Sequence, residues 1–537
     1  MKKFSLCILA ITICAAVSAQ PFRNFIGKET AQEYAYSVSQ AADSSYIIGA
    51  KYTNTFLGTG IPAIVNVNKN GFIKWVKQVN INNLPSVYST WAEAINTRSG
   101  KPDGSIMLIS VWNSFYLVRL QTNGAILWSR RFTHANFLIN NACMVKPFYD
   151  ANNTLSGFYI LGNHYNHDGS FLIKTDVTGV TTWQKKFVHP AAAGTYWLKD
   201  FKVTADGGCI ITGNQGGANV SALPVVFKIS SAGGTTWAKS YQFNAEKNCT
   251  ADGITITNDG YAITGSFKSN NNLTFKIKTD GSLTWSSFYS TADTKVSYTA
   301  GIGIAADAQG NLVIAGSADN AANNKPAILF KLTPAGSVVF TRKLNAEISY
   351  YEATLNSIII TNTGNYCAAG TSAGHNTTSD IYMLNLSAAG GSNVSCRPTS
   401  FIFNAASTPL KTVSTATPAS LSEIFSNAST TAATISIATA ENHCGTTAFA
   451  PEENNTAAIS VSNDLAGQRL LINFKTNSTG NYKAVLINNF GRQVSTVNII
   501  PGQPVFISMH NMNNGIYTVA VKHNENIIVQ DKAVWVK

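Results

Sequence analysis

Short apolar runs separated by glycine-containing turns repeat along most of the chain. Each repeat holds about four such runs, and one of them is apolar almost throughout and ends in glycine, as in Cys209–Gly213. The last run of each repeat carries an aromatic residue after a turn, and these residues are Trp75, Trp128, Trp183, Trp237, Trp285 and Phe340. Their spacings are 53, 55, 54, 48 and 55 residues. Short runs joined by tight turns predict antiparallel sheets, and the nearly fixed period predicts a series of similar sheets.

The repeats predict an all-β fold, with a seven-bladed β-propeller over residues 20–396, because four short strands are the unit of that architecture. The first strands of the seven blades are expected near Tyr36, Glu93, Asn141, Phe201, Asp252, Ile302 and Ala353. The seventh blade lacks an aromatic strand, whereas Phe22–Gly27 resembles the end of one. We therefore expect residues 22–27 to form the outermost strand of the seventh blade, which closes the ring and removes an exposed edge.

The recurring aromatic residue has two interpretations. An indole at the same place in nearly every sheet is expected to pack between neighbouring blades, where it buries a large area at low entropy cost. The alternative is a row of stacking platforms for a ligand. Packing is favoured, because Phe340 keeps the apolar bulk and loses only the N–H.

The first 19 residues have the features of a signal peptide. Two lysines precede an apolar stretch, and Val17–Ala19 offers small residues for cleavage between Ala19 and Gln20. Cys14 would instead mark a lipoprotein, but the three residues before it are not small. No later stretch reaches the roughly 20 apolar residues of a membrane helix. We therefore expect an exported protein without a membrane span.

Charge and cysteine content refine this picture. The formal net charge is +12, but the basic residues are scattered, which argues against nucleic-acid binding. Export permits disulfides, and a segment rich in Ser, Thr and Ala, residues 397–450, is expected to form a small β cap. Cys396 lies just before this segment and Cys444 near its end. These two are the favoured pair. The remaining cysteines lie in apolar runs and are expected to be buried free thiols: Cys143, Cys209, Cys249 and Cys367.

Residues 451–456 are typical of a linker, and the dense strand pattern of residues 457–537 predicts a small β-sandwich. This last block resembles the type A C-terminal sorting domain of the type IX secretion system of Bacteroidota. The matching residues are Gly480, Tyr482, Asn488, Gly491, Gly515, Tyr517 and Lys532. Ser460–Asp464 departs from the Pro-Asn-Pro opening of that family. The propeller region in turn resembles the repeat propellers of exported Bacteroidota proteins.

The resemblance implies a route of delivery. Such domains are carried through the outer membrane by the secretion translocon and are usually removed by a sortase-like peptidase. The protein would then be secreted or held at the cell surface, on the extracellular side of the outer membrane. An ordinary immunoglobulin-like accessory domain is the alternative for residues 457–537.

Motifs for catalysis are absent from the sequence, which has no phosphate-binding glycine loop, no Gly-x-Ser-x-Gly and no His-Glu-x-x-His. His164, His167 and Asp168 could hold a metal only with ligands from another loop, and a solvated polar loop is favoured. Asp319–Asn324 could coordinate calcium, although no glutamate completes the pattern. No cofactor or metal is therefore predicted, and calcium is left open.

Loops that follow the second strands and loops that join the blades open on one face of a propeller. The candidate ligand contacts on this face are Trp112, His164, Tyr165, His167, Tyr196, Trp197, Tyr350 and Tyr351. Aromatic and polar groups around a central channel could stack on sugars or hold a peptide. We predict a non-catalytic binding module for glycan or protein. The alternative is a surface hydrolase or lyase acting on polysaccharide, which needs clustered carboxylates, whereas Asp168, Asp319 and Asp380 lie in three blades.

Overall fold

The computed structural model is built from β-strands. It describes residues 22–27, 32–53, 60–80, 87–111, 114–133, 144–163, 169–189, 194–217, 220–243, 249–267, 271–291, 298–319, 326–344, 353–373, 379–390, 403–407, 410–415, 431–434, 440–442, 458–464, 468–475, 480–488, 493–510, 512, 515–523 and 526–535. Every regular element assigned within these ranges is a β-strand. No helix among the described residues is long and apolar enough to cross a membrane.

Seven antiparallel sheets follow one another along the described part of the first 390 residues. The chain opens with β1 (Phe22–Ile26). Sheet 1 holds β2 (Gln32–Gln40), β3 (Tyr46–Thr53), β4 (Ile61–Val67) and β5 (Ile73–Asn80), and sheet 2 holds β6 (Val87–Asn96), β7 (Pro102–Val111), β8 (Ser114–Leu120) and β9 (Ile126–Thr133). Sheet 3 holds β10 (Met144–Tyr149), β11 (Leu155–Asn163), β12 (Ser170–Thr175) and β13 (Thr181–Phe187).

The next sheets repeat the same order. Sheet 4 holds β14 (Thr195–Val203), β15 (Cys209–Gly217), β16 (Val220–Ile229) and β17 (Thr235–Phe243), and sheet 5 holds β18 (Gly253–Thr257), β19 (Gly260–Phe267), β20 (Asn271–Lys278) and β21 (Leu283–Thr291). Sheet 6 holds β22 (Tyr298–Ala306), β23 (Leu312–Asp319), β24 (Ala327–Leu332) and β25 (Val338–Leu344). Sheet 7 holds β26 (Ala353–Ile360), β27 (Tyr366–Ala373), β28 (Ser379–Leu386) and β1.

Middle strands are apolar because neighbouring sheets cover both of their faces. Every residue of β8 and of β19 is buried, whereas most residues of the outermost strand β13 are half-buried or exposed. Side chains of adjacent sheets share buried clusters, such as Ile64 of sheet 1 with Met107 of sheet 2. This packing explains why the central run of each repeat is apolar throughout.

The N-terminal strand closes the series of sheets. β1 pairs antiparallel with β28, with Phe22 opposite Asn385 and Ile26 opposite Ile381, which confirms that residues 22–27 join the seventh sheet. They are not its outermost strand, because residues 440–442 pair with the other edge of β1. Sheet 7 then packs on sheet 1, where the Asn356 side chain donates a hydrogen bond to the carbonyl of Ala35 at 2.8 Å. Because each sheet also contacts the next one along the chain, the arrangement is a β-propeller-like ring.

A repeated contact, here called the aromatic lock, joins the outer part of each sheet to the next. The aromatic residue of one sheet covers a turn glycine of the following sheet, and a Cβ on that glycine would lie within 3.3 Å of the ring. The pairs are Phe22 with Gly71, Trp75 with Gly124, Trp128 with Gly179, Trp183 with Gly233, Trp237 with Gly281, Trp285 with Gly336 and Phe340 with Gly390. These glycines have φ between 69° and 94°, which favours glycine.

Hydrogen bonds strengthen the aromatic lock. Four indole N–H groups donate to turn carbonyls of the next sheet at 2.9–3.0 Å, from Trp75, Trp183, Trp237 and Trp285 to Thr122, Ser231, Thr279 and Pro334. Phenylalanine has no such donor. There, the residue two positions later supplies it: Asn24 donates to the carbonyl of Gly71, and Arg342 donates to that of Gly390.

The Ser/Thr/Ala-rich segment adds strands to the ring, whereas the sequence predicts a separate cap for residues 397–450. We call its described strands the belt: β29 (Phe403–Ser407), β30 (Leu410–Thr415), β31 (Thr431–Thr434) and β32 (Ala440–Asn442). They pair antiparallel with β21, β17, β5 and β1, and thus extend sheets 5, 4, 1 and 7. The outer strand of a sheet has unpaired backbone N–H and C=O groups. A belt strand pairs with these groups through its own backbone and needs no apolar face to do so.

The C-terminal region contains two further sheets. Its strands are β33 (Ala458–Asp464), β34 (Arg469–Lys475), β35 (Tyr482–Ile487), β36 (Gln493–Ile499), β37 (Val505–Ser508), β38 (Gly515–His523) and β39 (Asn526–Trp535). One sheet has the order β33-β34-β37 and the other the order β36-β35-β38-β39. Residues of both sheets share one buried cluster, including Phe474, Leu486 and Trp535.

Cysteines of the described residues are free thiols. Cys209, Cys249 and Cys367 are buried and unbridged, as predicted, and burial raises the pKa of the Cys209 thiol to about 12. Cys143, Cys396 and Cys444 lie outside the described residues, so the pairing of Cys396 with Cys444 stays a prediction.

Replacement of Phe22 by alanine is expected to destabilise the ring, because Phe22 is fully buried and forms the seventh aromatic lock. The expected loss is about 3 kcal/mol of unfolding free energy, typical of a buried phenylalanine. Denaturant unfolding measures it. Val339→Ala is the control, since Val339 is exposed and should change stability by less than about 0.5 kcal/mol. Equal stability of the Phe22→Ala and parent chains would contradict closure by β1.

Candidate functional site

A cavity of about 440 Å³ lies at the centre of the ring. Residues on or next to the innermost strand of every sheet line it, and they are Tyr36, Val38, Trp91, Met144, Lys146, Lys199, Asp200, Lys202, Asp252, Ile302, Gly303, Ile304, Asn356, Ser357, Ile358 and Ile359. We call this cavity the channel. A concave site with apolar walls and a few polar groups is the usual form of a ligand-binding pocket.

Backbone bulges turn side chains into the channel. The innermost strands of sheets 1, 4, 6 and 7 each carry one extra residue relative to their neighbour, namely Tyr36, Lys199, Ile302 and Asn356. All four of these residues line the channel. A bulge interrupts the alternation of a strand and redirects a side chain, so each of these four bulges adds one side chain to the channel wall.

Glycine on the second strand makes room for the bulged strand. A Cβ on Gly213 would lie 2.3 Å from the carbonyl oxygen of Trp197, and one on Gly370 would lie 1.9 Å from that of Thr354. The glycine that ends the apolar run of a repeat therefore marks the place where the neighbouring strand bends towards the channel. This signal in the sequence could have located the channel residues.

The channel wall has an apolar side and a charged side. Sheets 6, 7 and 1 contribute Ile302, Ile304, Ile358, Ile359 and Val38. Sheets 3, 4 and 5 contribute the charged residues, which are Lys146, Lys199, Asp200, Lys202 and Asp252. The channel therefore fits a ligand with an apolar part and a charged or polar part.

Two of the three lysines are neutralised by carboxylates. Lys146 forms an ion pair with Glu93, whose carboxylate also accepts a hydrogen bond from the Trp91 indole at 2.8 Å. Lys202 pairs with Asp200 at 2.8 Å. Asp200 also accepts hydrogen bonds from backbone N–H groups on both its oxygens, including that of Ile254 at 2.9 Å. These groups hold neighbouring sheets together and have little capacity left for a ligand.

Lys199 and Asp252 are the charged groups available in the channel. The Lys199 ammonium lies 5.8 Å from the centre of the Trp197 ring and forms no ion pair with any other residue that the structure describes. Burial raises the pKa of the Asp252 carboxyl, against the field of Lys199 and a 2.7 Å hydrogen bond from the Thr250 hydroxyl. Perturbed carboxyls in a cavity are candidates for functional groups.

Of the eight ligand contacts expected from the sequence, the structure describes Tyr196 and Trp197. Tyr196 is wrong as a surface contact, because it is only 1% exposed and its ring packs on Phe227 at 5.1 Å. Trp197 is half-buried beside Lys199. Trp112, His164, Tyr165, His167, Tyr350 and Tyr351 lie outside the described residues, as does Asp168. Within the described ranges, no cluster of three His, Cys, Asp or Glu side chains could hold a metal ion.

The residues of the sorting-domain motif belong to the packing of the two C-terminal sheets. A Cβ on Gly480 would lie 2.3 Å from the His523 ring, which stacks on the buried Tyr482 at 4.7 Å. Tyr517 is buried in the same core. Gly515 and Lys532 stand in the paired strands β38 and β39, and Asn488 follows β35. Gly491 and the cleavage residues Ala19 and Gln20 lie outside the described residues.

Substitution Asp252→Asn is expected to raise stability at neutral pH. A carboxyl whose pKa is raised on folding stabilises the fold only while it is protonated, and this contribution is lost as the pH rises through the folded pKa. The advantage of the variant should therefore shrink as the pH falls towards about 4, the ordinary aspartate range. Urea unfolding at both pH values measures it.

Asp206→Asn is the control, for which the opposite change in stability is expected. Despite partial burial, hydrogen bonds from Lys228, Thr204 and Gly208 lower the pKa of Asp206 to about 2. This variant should lose stability at neutral pH and recover relative to the parent as the pH falls. An Asp252→Asn chain that is less stable than the parent at neutral pH would contradict the assignment of a desolvated carboxyl.

Comparisons with known proteins give only weak likenesses. No protein-family model matches the sequence, and no curated protein matches it significantly. A protein of unknown function from Bacteroides caccae is 12% identical over 55% of this chain and 90% of that chain, with a TM-score of 0.33. Sqt1 of Chaetomium thermophilum is 10% identical over 71% and 89% of the two chains, with a TM-score of 0.39. A subtype N11 neuraminidase-like protein of A/flat-faced bat/Peru is 11% identical over 68% and 91%, with a TM-score of 0.36. These likenesses assign no function, and the architecture follows from the strand pairing of the chain itself.

Proposed function

We propose that the chain is a seven-bladed β-propeller that binds a polypeptide ligand in its channel and catalyses no reaction on it. One observation carries this proposal: the innermost strands converge on a cavity of about 440 Å³ and four of them are bulged towards it. A cavity with an apolar side and a charged side is suited to holding a ligand.

The chemistry of the walls favours a polypeptide over a glycan. Apart from Tyr36, whose hydroxyl donates a hydrogen bond to the carbonyl of Tyr88 at 2.9 Å, the apolar side is aliphatic, whereas sugar rings are usually held on open aromatic faces. Trp91 is not such a face, because the Lys146 ammonium lies 5.1 Å from its ring centre and the ring packs on buried core residues. An apolar side chain next to a negatively charged group on the ligand would contact the isoleucines and reach Lys199.

Lys199→Ala is expected to weaken ligand binding about tenfold or more, because a hydrogen bond to a charged group is lost. The experiment screens the full chain, without its predicted signal peptide, on peptide and glycan arrays and then measures the affinity of a selected peptide. Lys101→Ala removes an exposed turn lysine and is the matched control, which should bind as the parent does. Selection of glycans alone, or equal affinity of the Lys199→Ala and parent chains, would refute binding of a polypeptide in the channel.

The second candidate is a surface hydrolase or lyase acting on polysaccharide. Asp252 favours it, because a buried carboxyl with a raised pKa is suited to donate a proton to a leaving group. Asp200 does not supply a free partner carboxylate, since both its oxygens accept hydrogen bonds. Turnover of chromogenic glycosides that Asp252→Asn abolishes would favour this candidate over a binding module.

We also propose that residues 457–537 act as a sorting domain, which the type IX secretion translocon and a sortase-like peptidase recognise. The support is the resemblance of the motif, together with a two-sheet unit that has its own buried cluster at the end of the chain. The protein would then be displayed at the cell surface or secreted. The predicted signal peptide, residues 1–19, would direct the first step of export.

Deletion of residues 457–537 is expected to retain the remaining protein in the periplasm of the native host. Cell fractionation followed by surface labelling measures its location. A chain that lacks only residues 451–456 keeps the sorting domain and should reach the surface, which controls for the effect of a deletion as such. Surface export of the chain without residues 457–537 would refute the sorting role.

A further inference from the structure

The outer strands of the seven sheets fall into two classes. β1, β5, β17 and β21 each pair with a belt strand, whereas β9, β13 and β25 pair with no fifth strand among the described residues. All seven outer strands carry the aromatic lock. The lock therefore does not explain why the described belt strands pair with some outer strands only.

The third residue after the aromatic residue of the lock differs between the two classes without exception. We call this residue the edge residue. Outer strands that carry a belt strand have the neutral edge residues Phe25, Gln78, Ser240 and Phe288. Outer strands without one have the basic edge residues Arg131, Lys186 and Lys343. Within the part of the chain that the structure describes, charge at this single position therefore follows the presence of a fifth strand in all seven sheets.

The residue just before the edge residue does not separate the classes. Lys77 and Lys239 occupy that position in two strands that carry the belt. Because successive side chains of a strand point to opposite faces, these lysines point to the face opposite the edge residue. The Lys239 ammonium donates to the carbonyl of Asp280 in the next sheet at 2.7 Å. A cation is thus compatible with a fifth strand when it lies on that face.

Burial supplies the physical reason. Gln78 is 1% exposed and stands opposite Ala433, and Ser240 is 3% exposed and stands opposite Ser414. A lysine at these places would lose most of its hydration without gaining a carboxylate, which is strongly unfavourable. On outer strands without a fifth strand among the described residues the basic edge residues are only half-buried, and charged residues on such strands discourage further pairing.

We propose that the outer strands of the ring are docking surfaces for an extended strand of small polar residues, and that the edge residue selects which of them are used. A neutral edge residue admits a belt strand of this chain by antiparallel pairing. A basic edge residue excludes it. The partner is recognised mainly through its backbone, as in other cases of strand addition to a sheet edge, so small side chains suffice.

The test is Gln78→Lys in the full chain, with hydrogen–deuterium exchange as the measurement. The amides of β31, and those amides of β5 that pair with β31, should exchange roughly tenfold faster or more. A buried unpaired charge is expected to open the pairing of β5 with β31. The β17–β30 pair should exchange as in the parent. Gln78→Leu, which is neutral and of similar size, is the matched control and should keep the protection of β31.

Two results would overturn the proposal. One is a Gln78→Lys chain that keeps the protection of β31, and the other is a Gln78→Leu chain that loses it to the same extent. If Gln78→Lys prevents folding, Ser240→Lys with Ser240→Thr gives the same comparison for β30 on sheet 4. Faster exchange of β30 in the lysine variant alone supports the proposal, and equal exchange in the two variants refutes it.

Discussion

The contact between an aromatic ring and a turn glycine of the next sheet is the constraint on which this fold depends. The glycine must lack a side chain, since a Cβ would meet the ring, and its φ between 69° and 94° also favours glycine. Each lock fixes one sheet against the next, so that the two apolar faces of a sheet stay covered. Phe22 supplies the seventh lock from the opposite end of the chain, and the last sheet is thereby held against the first.

The locks act at the outer part of the sheets, and their effect reaches the centre. With neighbouring sheets fixed, the innermost strands converge, and bulges at Tyr36, Lys199, Ile302 and Asn356 turn side chains into the space between them. Glycines of the second strands, such as Gly213, allow the close approach of the bulged strand. The channel, with Lys199 and Asp252 as its available charged groups, is therefore a product of the same repeated packing. The belt adds strands on the outside without changing this arrangement.

Apolar periodicity predicts the parts of this structure that depend on burial. The strands of each repeat, the seventh outer strand at residues 22–27 and the buried thiols Cys209, Cys249 and Cys367 all follow from it. The belt does not, because small polar residues that pair through their backbone leave no apolar pattern. The channel is missed for a different reason. A bulge at Lys199 breaks the alternation of its strand, so that Tyr196 lies in the core and Lys199 lines the channel.

A closed ring and an open array of repeats differ in how they melt. Sheets that all hold one another unfold together, whereas a linear array of repeats can lose its units one after another. Differential scanning calorimetry of the full chain tests this directly. The account predicts one transition for the seven sheets, with equal calorimetric and van't Hoff enthalpies, beside a separate transition for residues 457–537. Several transitions for the seven sheets, or a calorimetric enthalpy well above the van't Hoff value, would contradict it.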